Sequence, residues 1–107
     1  MKVVSIDLSK IDEYYRRISK FAKELKKRGA KEVYLFGSFA RGEVTEASDI
    51  DLLVIWNLDK RFHERAIEVM KLTDLPVQPI VLTEKEFEKM RNRRFYKEVL
   101  KYAKKLV

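Results

Sequence analysis

Asp49 and Asp51 stand one residue apart at the head of an apolar run, residues 50–54, and Gly37-Ser38 precedes them across residues 39–48. That combination reads as a phosphate grip followed by a metal-binding carboxylate pair. Side chains alternate along a strand, so both carboxylates fall on one face while Ile50 enters the other. At strand rise their Cα atoms lie about 7 Å apart, which lets both side chains converge on a single cation. Oxygen ligands with no Cys or His nearby select a hard ion. Mg²⁺ bridging the carboxylates and substrate phosphates is the expected one, with Mn²⁺ as the alternative.

Upstream, Glu32-Val33-Tyr34-Leu35-Phe36 is a β-rich run that stops at Gly37-Ser38, and Phe39-Ala40-Arg41 has room for one helical turn before Gly42. Glycine lets a phosphate approach the backbone. Free N–H groups at the start of that turn, together with the Ser38 hydroxyl, would hold the terminal oxygens of a nucleoside triphosphate. Arg41 either adds positive charge there or anchors the turn. Taken singly, Asp-X-Asp is usually a solvated strand edge or a cap, and Gly-Ser is usually a plain turn.

Together these residues resemble the nucleotidyltransferase superfamily typified by DNA polymerase β, and within it the minimal nucleotidyltransferase (MNT) branch of bacteria and archaea. That family carries Gly-Ser, ten residues, then Asp-X-Asp, which is the spacing here; Ala40-Arg41-Gly42 and Ser48 also fit its usual wording. The motif covers residues 37–54, and the order of elements extends the likeness more weakly over nearly the whole chain. The resemblance implies an α/β (α+β) fold of the polymerase β-like kind, a small mixed sheet flanked by helices. It implies Asp49 and Asp51 as catalytic metal ligands, and Gly37, Ser38, Arg41 and Ser48 as nucleotide-binding residues. The reaction implied is transfer of a nucleoside monophosphate, AMP from ATP in the first instance, to a hydroxyl. Proteins of this branch are commonly paired with a helical HEPN partner, a ribonuclease toxin, which they bind or adenylylate on tyrosine. Active relatives also carry a third carboxylate on the next strand, and the position aligned with it here is Gln78. A glutamine offers a neutral oxygen but serves neither as a general base nor as a counter-charge, so a second metal should bind poorly. A third acid could then come only from a flanking loop, through Asp74 or Glu84.

Positioning these groups requires alternating helices and strands. Ser9 is expected to cap a helix whose apolar positions Ile11, Tyr14, Ile18, Phe21 and Leu25 recur at helical spacing, with Gly29 ending it. Strands are expected at Glu32–Phe36, at residues 50–56 and at Val77–Leu82, with a helix near residues 61–72 before Pro76. Thr83-Glu84-Lys85-Glu86 is a capping box that launches C-terminal helical sequence, broken around residues 91–94.

The chain has 107 residues, a formal charge of +7, 38% charged residues and no cysteine. Its length fits one domain, residues 1–107, with no room for a separate acceptor-binding domain. Disulfides and thiolate zinc sites are excluded. No apolar run approaches the roughly 20 residues that span a bilayer, and Met1-Lys2-Val3-Val4 soon meets Asp7, so neither a membrane span nor a signal peptide is expected, and the location expected is cytoplasmic. The positive balance suits a partner that carries phosphate, although a mixed-sign helical surface has the same composition. Arg94, Phe95 and Tyr96, in the most basic segment, read as anchors for a protein interface or as core. His63 reads as a surface residue and Trp56 as core or interface. Three functions remain open: an adenylylating antitoxin, a binding antitoxin with a vestigial nucleotide site, and an RNA-binding module.

Overall fold

Four strands, β1 (Glu32–Phe36), β2 (Ile50–Ile55), β3 (Val77–Leu82) and β4 (Lys104–Lys105), form one mixed sheet in the order β3-β2-β1-β4. In this computed structural model residues 5–107 are described; the tetrapeptide at residues 1–4, where a leader would begin, lies outside them. β1 and β2 run antiparallel with Phe36 opposite Asp51, and β2 and β3 run parallel with Asp51 opposite Gln78. The parallel pair needs a crossover, which α3 (Phe62–Met70) supplies.

Alternation along the strands divides the core in two. Val33, Leu35, Ile50, Leu52, Val54, Val77 and Val81 face one cluster, into which α1 (Ile11–Lys27) inserts Ile18, Phe21, Ala22 and Leu25. Leu53, Ile55 and Leu82 face the other, with Phe87 of α4 (Glu84–Met90) and Val99 of α5 (Arg94–Tyr102). Helices thus cover both faces, which is why β2 is buried at every position except Asp51. Tyr34, Phe36 and Ile80 pack partly against the second cluster. By parity along their strands, Asp51 and Gln78 belong to that same side.

The expected elements are present, with three corrections. Ser9 does not cap α1: it lies inside a 3-10 turn, Leu8–Lys10, and donates its backbone N–H to the Asp7 carboxylate at 3.1 Å. An extra short turn ahead of the helix moves the side-chain cap back to Asp7, and α1 begins at Ile11 without one. β2 ends at Ile55 and α3 at Met70, both short of the expected bounds; Trp56 N–H still reaches the Leu82 carbonyl at 2.8 Å. β4 was not expected at all, because two lysines carry no apolar pattern, yet Leu106 N–H and the Val33 carbonyl close at 2.7 Å beside it. Trp56 packs against the first cluster and His63 is exposed.

The Thr83 capping box forms in both directions, with Thr83 N–H donating to Glu86 Oε1 at 2.8 Å and Glu86 N–H donating to Thr83 Oγ1 at 3.1 Å. Glu86 has a second task. It receives both arms of the guanidinium of Arg65, a residue only 4% exposed, at 2.6 and 3.0 Å, and Arg65 also donates to the Val81 carbonyl. The charge-assisted hydrogen bonds from Arg65 outweigh partial burial and hold the Glu86 carboxyl down at about 2. Among the described residues no helix is long and apolar enough to cross a membrane.

Candidate active site

β1 delivers the chain to Gly37, where φ of +72° turns it from strand into α2 (Gly37–Arg41). The turn ends at Gly42, also left-handed, and Glu43 N–H returns to the Ser38 carbonyl at 2.9 Å. Phe39 fixes this short helix. It is fully buried under the edges of Tyr14 and Tyr15, and the Tyr15 hydroxyl donates to the Phe39 carbonyl at 2.6 Å. The expected phosphate turn is therefore anchored to α1 rather than left as a surface loop.

Asp49 sits just ahead of β2 and is exposed, whereas Asp51 is half-buried within it. Gly37 and Asp51 are mutually fitted: a Cβ built on Gly37 would lie 3.0 Å from Asp51 Cγ and closer still to Oδ2. Glycine is required there both by backbone conformation and by the carboxylate that occupies the space. Burial pushes the Asp51 carboxyl pKa up and the neighbouring Asp49 charge pushes it further, while Arg41 acts in the opposite direction. Two acids of like charge at one place, one of them partly desolvated, form a site that a cation would relieve. An oxygen donor set of this kind fits Mg²⁺ or Mn²⁺.

Gln78 is exposed, directly across from Asp51 in the parallel register. Asp49, Asp51 and Gln78 share a cleft of about 430 Å³ whose walls include Phe36 and Phe95. A second cleft of about 210 Å³ shares Phe36 and Phe95 with the first and continues past Gly37 and Arg41 to Glu98 and Tyr102. Arg41 is exposed, with Nε 3.5 Å from Glu43, and it lines this second cleft. Ser38 stands beside Gly37 in α2. Ser48 is placed differently: its hydroxyl accepts the Thr45 N–H at 2.8 Å, stapling the turn that leads into Asp49. Neither flanking acid joins the Asp pair in a three-carboxylate group. Glu84 is held by Asn57 at 2.6 Å beyond the other end of β3, and Asp74, although it lines a cleft of about 240 Å³ with Asp49 and Gln78, pairs with Arg17. Among the described residues no group of three His, Cys, Asp or Glu side chains gathers around a possible metal.

Residues of the C-terminal helix complete the site in a way the sequence did not disclose. Phe95, read as an interface or core anchor, is 55% exposed and forms a wall of both clefts; Tyr102 is 51% exposed and closes the far end of the second. Tyr96 instead packs against the second core cluster, and Arg94 is exposed. The available signal was the seven-residue spacing of Phe95 and Tyr102, which places them on one face of a helix.

The architecture and sequence match known proteins. A family model described as a nucleotidyltransferase domain matches residues 16–106. A candidate protein adenylyltransferase of Methanocaldococcus jannaschii is 34% identical over 95 residues, covering 85% of this chain and 95% of that protein. The crystal structure of a candidate nucleotidyltransferase from Sulfolobus solfataricus superposes with a TM-score of 0.52 at 32% identity, over 74% of this chain and 78% of its own. A toxin–antitoxin structure determined with AMP-PNP shares the fold, with a TM-score of 0.59 at 20% identity over 83% of this chain and 72% of that one. With the motif, the mixed sheet and the family match in agreement, the chain belongs to the nucleotidyltransferase domain family and has the polymerase β-like fold.

Proposed function

We propose that this nucleotidyltransferase moves AMP from ATP to a hydroxyl on a partner protein, acting as the antitoxin of a toxin–antitoxin pair whose partner is a helical HEPN protein. The observation that carries the chemistry is that Asp49 and Asp51 line one cleft, Gly37 and Arg41 line the cleft beside it, and Asp51 is seated against the Gly37 backbone. Asp49 and Asp51 would hold Mg²⁺, which when bound neutralises charge on the phosphates. Gly37, Ser38 and Arg41 position the triphosphate. The acceptor oxygen forms a bond to the α-phosphorus while the bond to pyrophosphate breaks, and the acceptor proton passes to solvent, since Gln78 cannot accept it as a base. The partner assignment is supported by the adenylyltransferase relative and by the toxin–antitoxin neighbour.

Gln78 favours a second reading, a binding antitoxin with weak catalysis. It stands in register with Asp51 where a third acid would serve, and neither Asp74 nor Glu84 replaces it. Labelled ATP, Mg²⁺ and the co-expressed partner separate the two. Label on a partner tyrosine, lost in Asp49→Asn/Asp51→Asn, supports transfer. Association and neutralisation that persist unlabelled, and equally in the double variant, establish the binding reading. Native purification that recovers RNA and no protein partner would overturn both.

A further inference from the structure

Phe95 and Tyr102 are large aromatic side chains left more than half exposed, on a helix, α5, that borders the candidate active site. An exposed aromatic is common enough singly; two on one helix face, both lining clefts that converge on Gly37 and the Asp pair, are not explained by core packing. Their spacing of seven residues separates their Cα atoms by about 10.5 Å along the axis, which spans a nucleoside lying along the helix. Phe95 is also braced. The ring of Tyr96, itself seated against the second core cluster, meets it edge-on with centroids 5.0 Å apart, leaving the rest of the Phe95 ring to the cleft. Tyr102 is backed by Lys101, whose Nζ lies 5.4 Å from the ring centroid.

Charge divides the same cleft into two halves. Arg41 lies at the Gly37 end, and Glu98 lies between the two aromatics along α5. A carboxylate repels phosphate but accepts hydrogen bonds from a ribose hydroxyl or an exocyclic amine. Phosphates are thus steered toward Gly37 and Arg41, and a neutral aromatic group toward α5.

We infer that Phe95 and Tyr102 form the wall on which the base and ribose of the nucleotide lie, with Glu98 hydrogen-bonding the nucleoside between them. The inference rests on the nucleotide-binding reading above and assigns its nucleoside half to the C-terminal helix. Aromatic stacking is tolerant of base identity, so the wall sets affinity for nucleosides in general, and Glu98 favours bases that offer an amine.

Two probes separate this inference from the reading on which it rests. Mg²⁺ with tripolyphosphate engages only the carboxylates and the phosphate turn, whereas Mg²⁺ with ATP also offers a base. Titration calorimetry on the full chain should show Phe95→Ala and Tyr102→Ala each weakening ATP binding by roughly 5- to 150-fold, the range expected from losing one base-stacking contact. Tripolyphosphate binding should be unchanged in both variants. Tyr102→Phe should retain wild-type ATP affinity, and Phe95→Leu, which keeps apolar bulk without an aromatic face, should not. Glu98→Gln should weaken ATP more than UTP. Equal ATP affinity in wild type and the alanine variants would overturn the inference while leaving the phosphate site intact. Loss of partner association with ATP binding unchanged would assign the two rings to a protein interface instead. If wild-type protein bound neither probe, the nucleotide-binding reading itself would fall.

Discussion

Arg65 and Glu86 meet with opposite charges, two hydrogen bonds and a shared helix cap, whereas Asp49 and Asp51 meet with the same charge and Gln78 where a third acid would serve. Both sets of residues border β3, one beside its last residues and one beside its first. At the first, burial is compensated: the guanidinium holds the Glu86 carboxyl near 2, well below the ordinary range. At the second, burial is uncompensated and raises the Asp51 carboxyl above its ordinary range. The same desolvation therefore acts in opposite net directions according to what faces it. The first arrangement holds α3, β3 and α4 together; the second leaves an electrostatic deficit that a cation and a polyphosphate can fill, which is how perturbed groups come to mark functional sites.

The largest expected effect comes from making the unsatisfied cluster more acidic. Gln78→Asp places a third carboxylate in register with Asp51, and transfer activity measured with labelled ATP should rise by about 10²- to 10⁴-fold if the new group acts as a general base. In the absence of metal the same variant should melt below wild type, because a third like charge joins the pair. Unchanged activity would show that position 78 does not face the acceptor.

Breaking the compensated pair tests the other half of the comparison. Glu86→Ala leaves the buried Arg65 cation without its partner and removes half of the capping box, and it should cost about 3 kcal/mol, near the low end for a broken buried pair because Glu86 itself meets solvent. That corresponds to a fall of roughly 10 to 25 °C in melting temperature for a domain of this size. Arg65→Met alone should cost less, since the carboxylate it orphans can reach water. The double variant should be milder than the sum of the two, a coupling read directly from chemical denaturation.

Ligand should stabilise the uncompensated pair and leave the compensated one untouched. Mg²⁺ with ATP at 100 times its dissociation constant adds about 2.7 kcal/mol, or roughly 10 to 20 °C in melting temperature. Asp49→Asn/Asp51→Asn should abolish that increment and, without metal, melt a few degrees above wild type because the repulsion has been removed. A metal-free double variant less stable than wild type would mean that the carboxylates serve the fold.

The smallest effect is in pH. Because the folded pKa of Glu86 is depressed, its stabilising contribution is fully present above the ordinary carboxylate range near 4.5 and is lost as pH falls toward about 2. The stability difference between wild type and Glu86→Gln should hold steady from pH 7 to about 5 and shrink below about 4.5. A difference that grows on acidification would reverse the assignment.

Residues whose neighbours lie close in sequence were legible from sequence. The Gly37 turn, the helical turn ending at Gly42, the three main strands and the Thr83 box depend on backbone preference, alternation and capping, which act over a few residues. Gln78 was placed at the third-acid position by the family resemblance, and the parallel register of β2 and β3 sets it opposite Asp51. Arg65 was not singled out. Its partners are a carbonyl 16 residues away and a carboxylate 21 residues away, and nothing local distinguishes it from Lys60, Arg61 and Lys71, the cations that flank α3.

What the sequence determined by itself was the chemistry on offer: two carboxylates one residue apart at the head of a strand, a glycine at the strand-to-helix turn, and a glutamine where the family resemblance places a third acid. Tertiary structure decided the environment of those groups. It seated Asp51 against the Gly37 backbone, spent the Ser48 hydroxyl on a turn, folded β4 onto β1 with little apolar pattern to announce it, and laid α5 so that Phe95 and Tyr102 wall the cleft. The physical reason is that hydrogen bonding within an element is set by neighbours along the chain. Desolvation and cleft shape depend on which elements come to lie across from one another, and that is fixed only when the two cores close over both faces of the sheet.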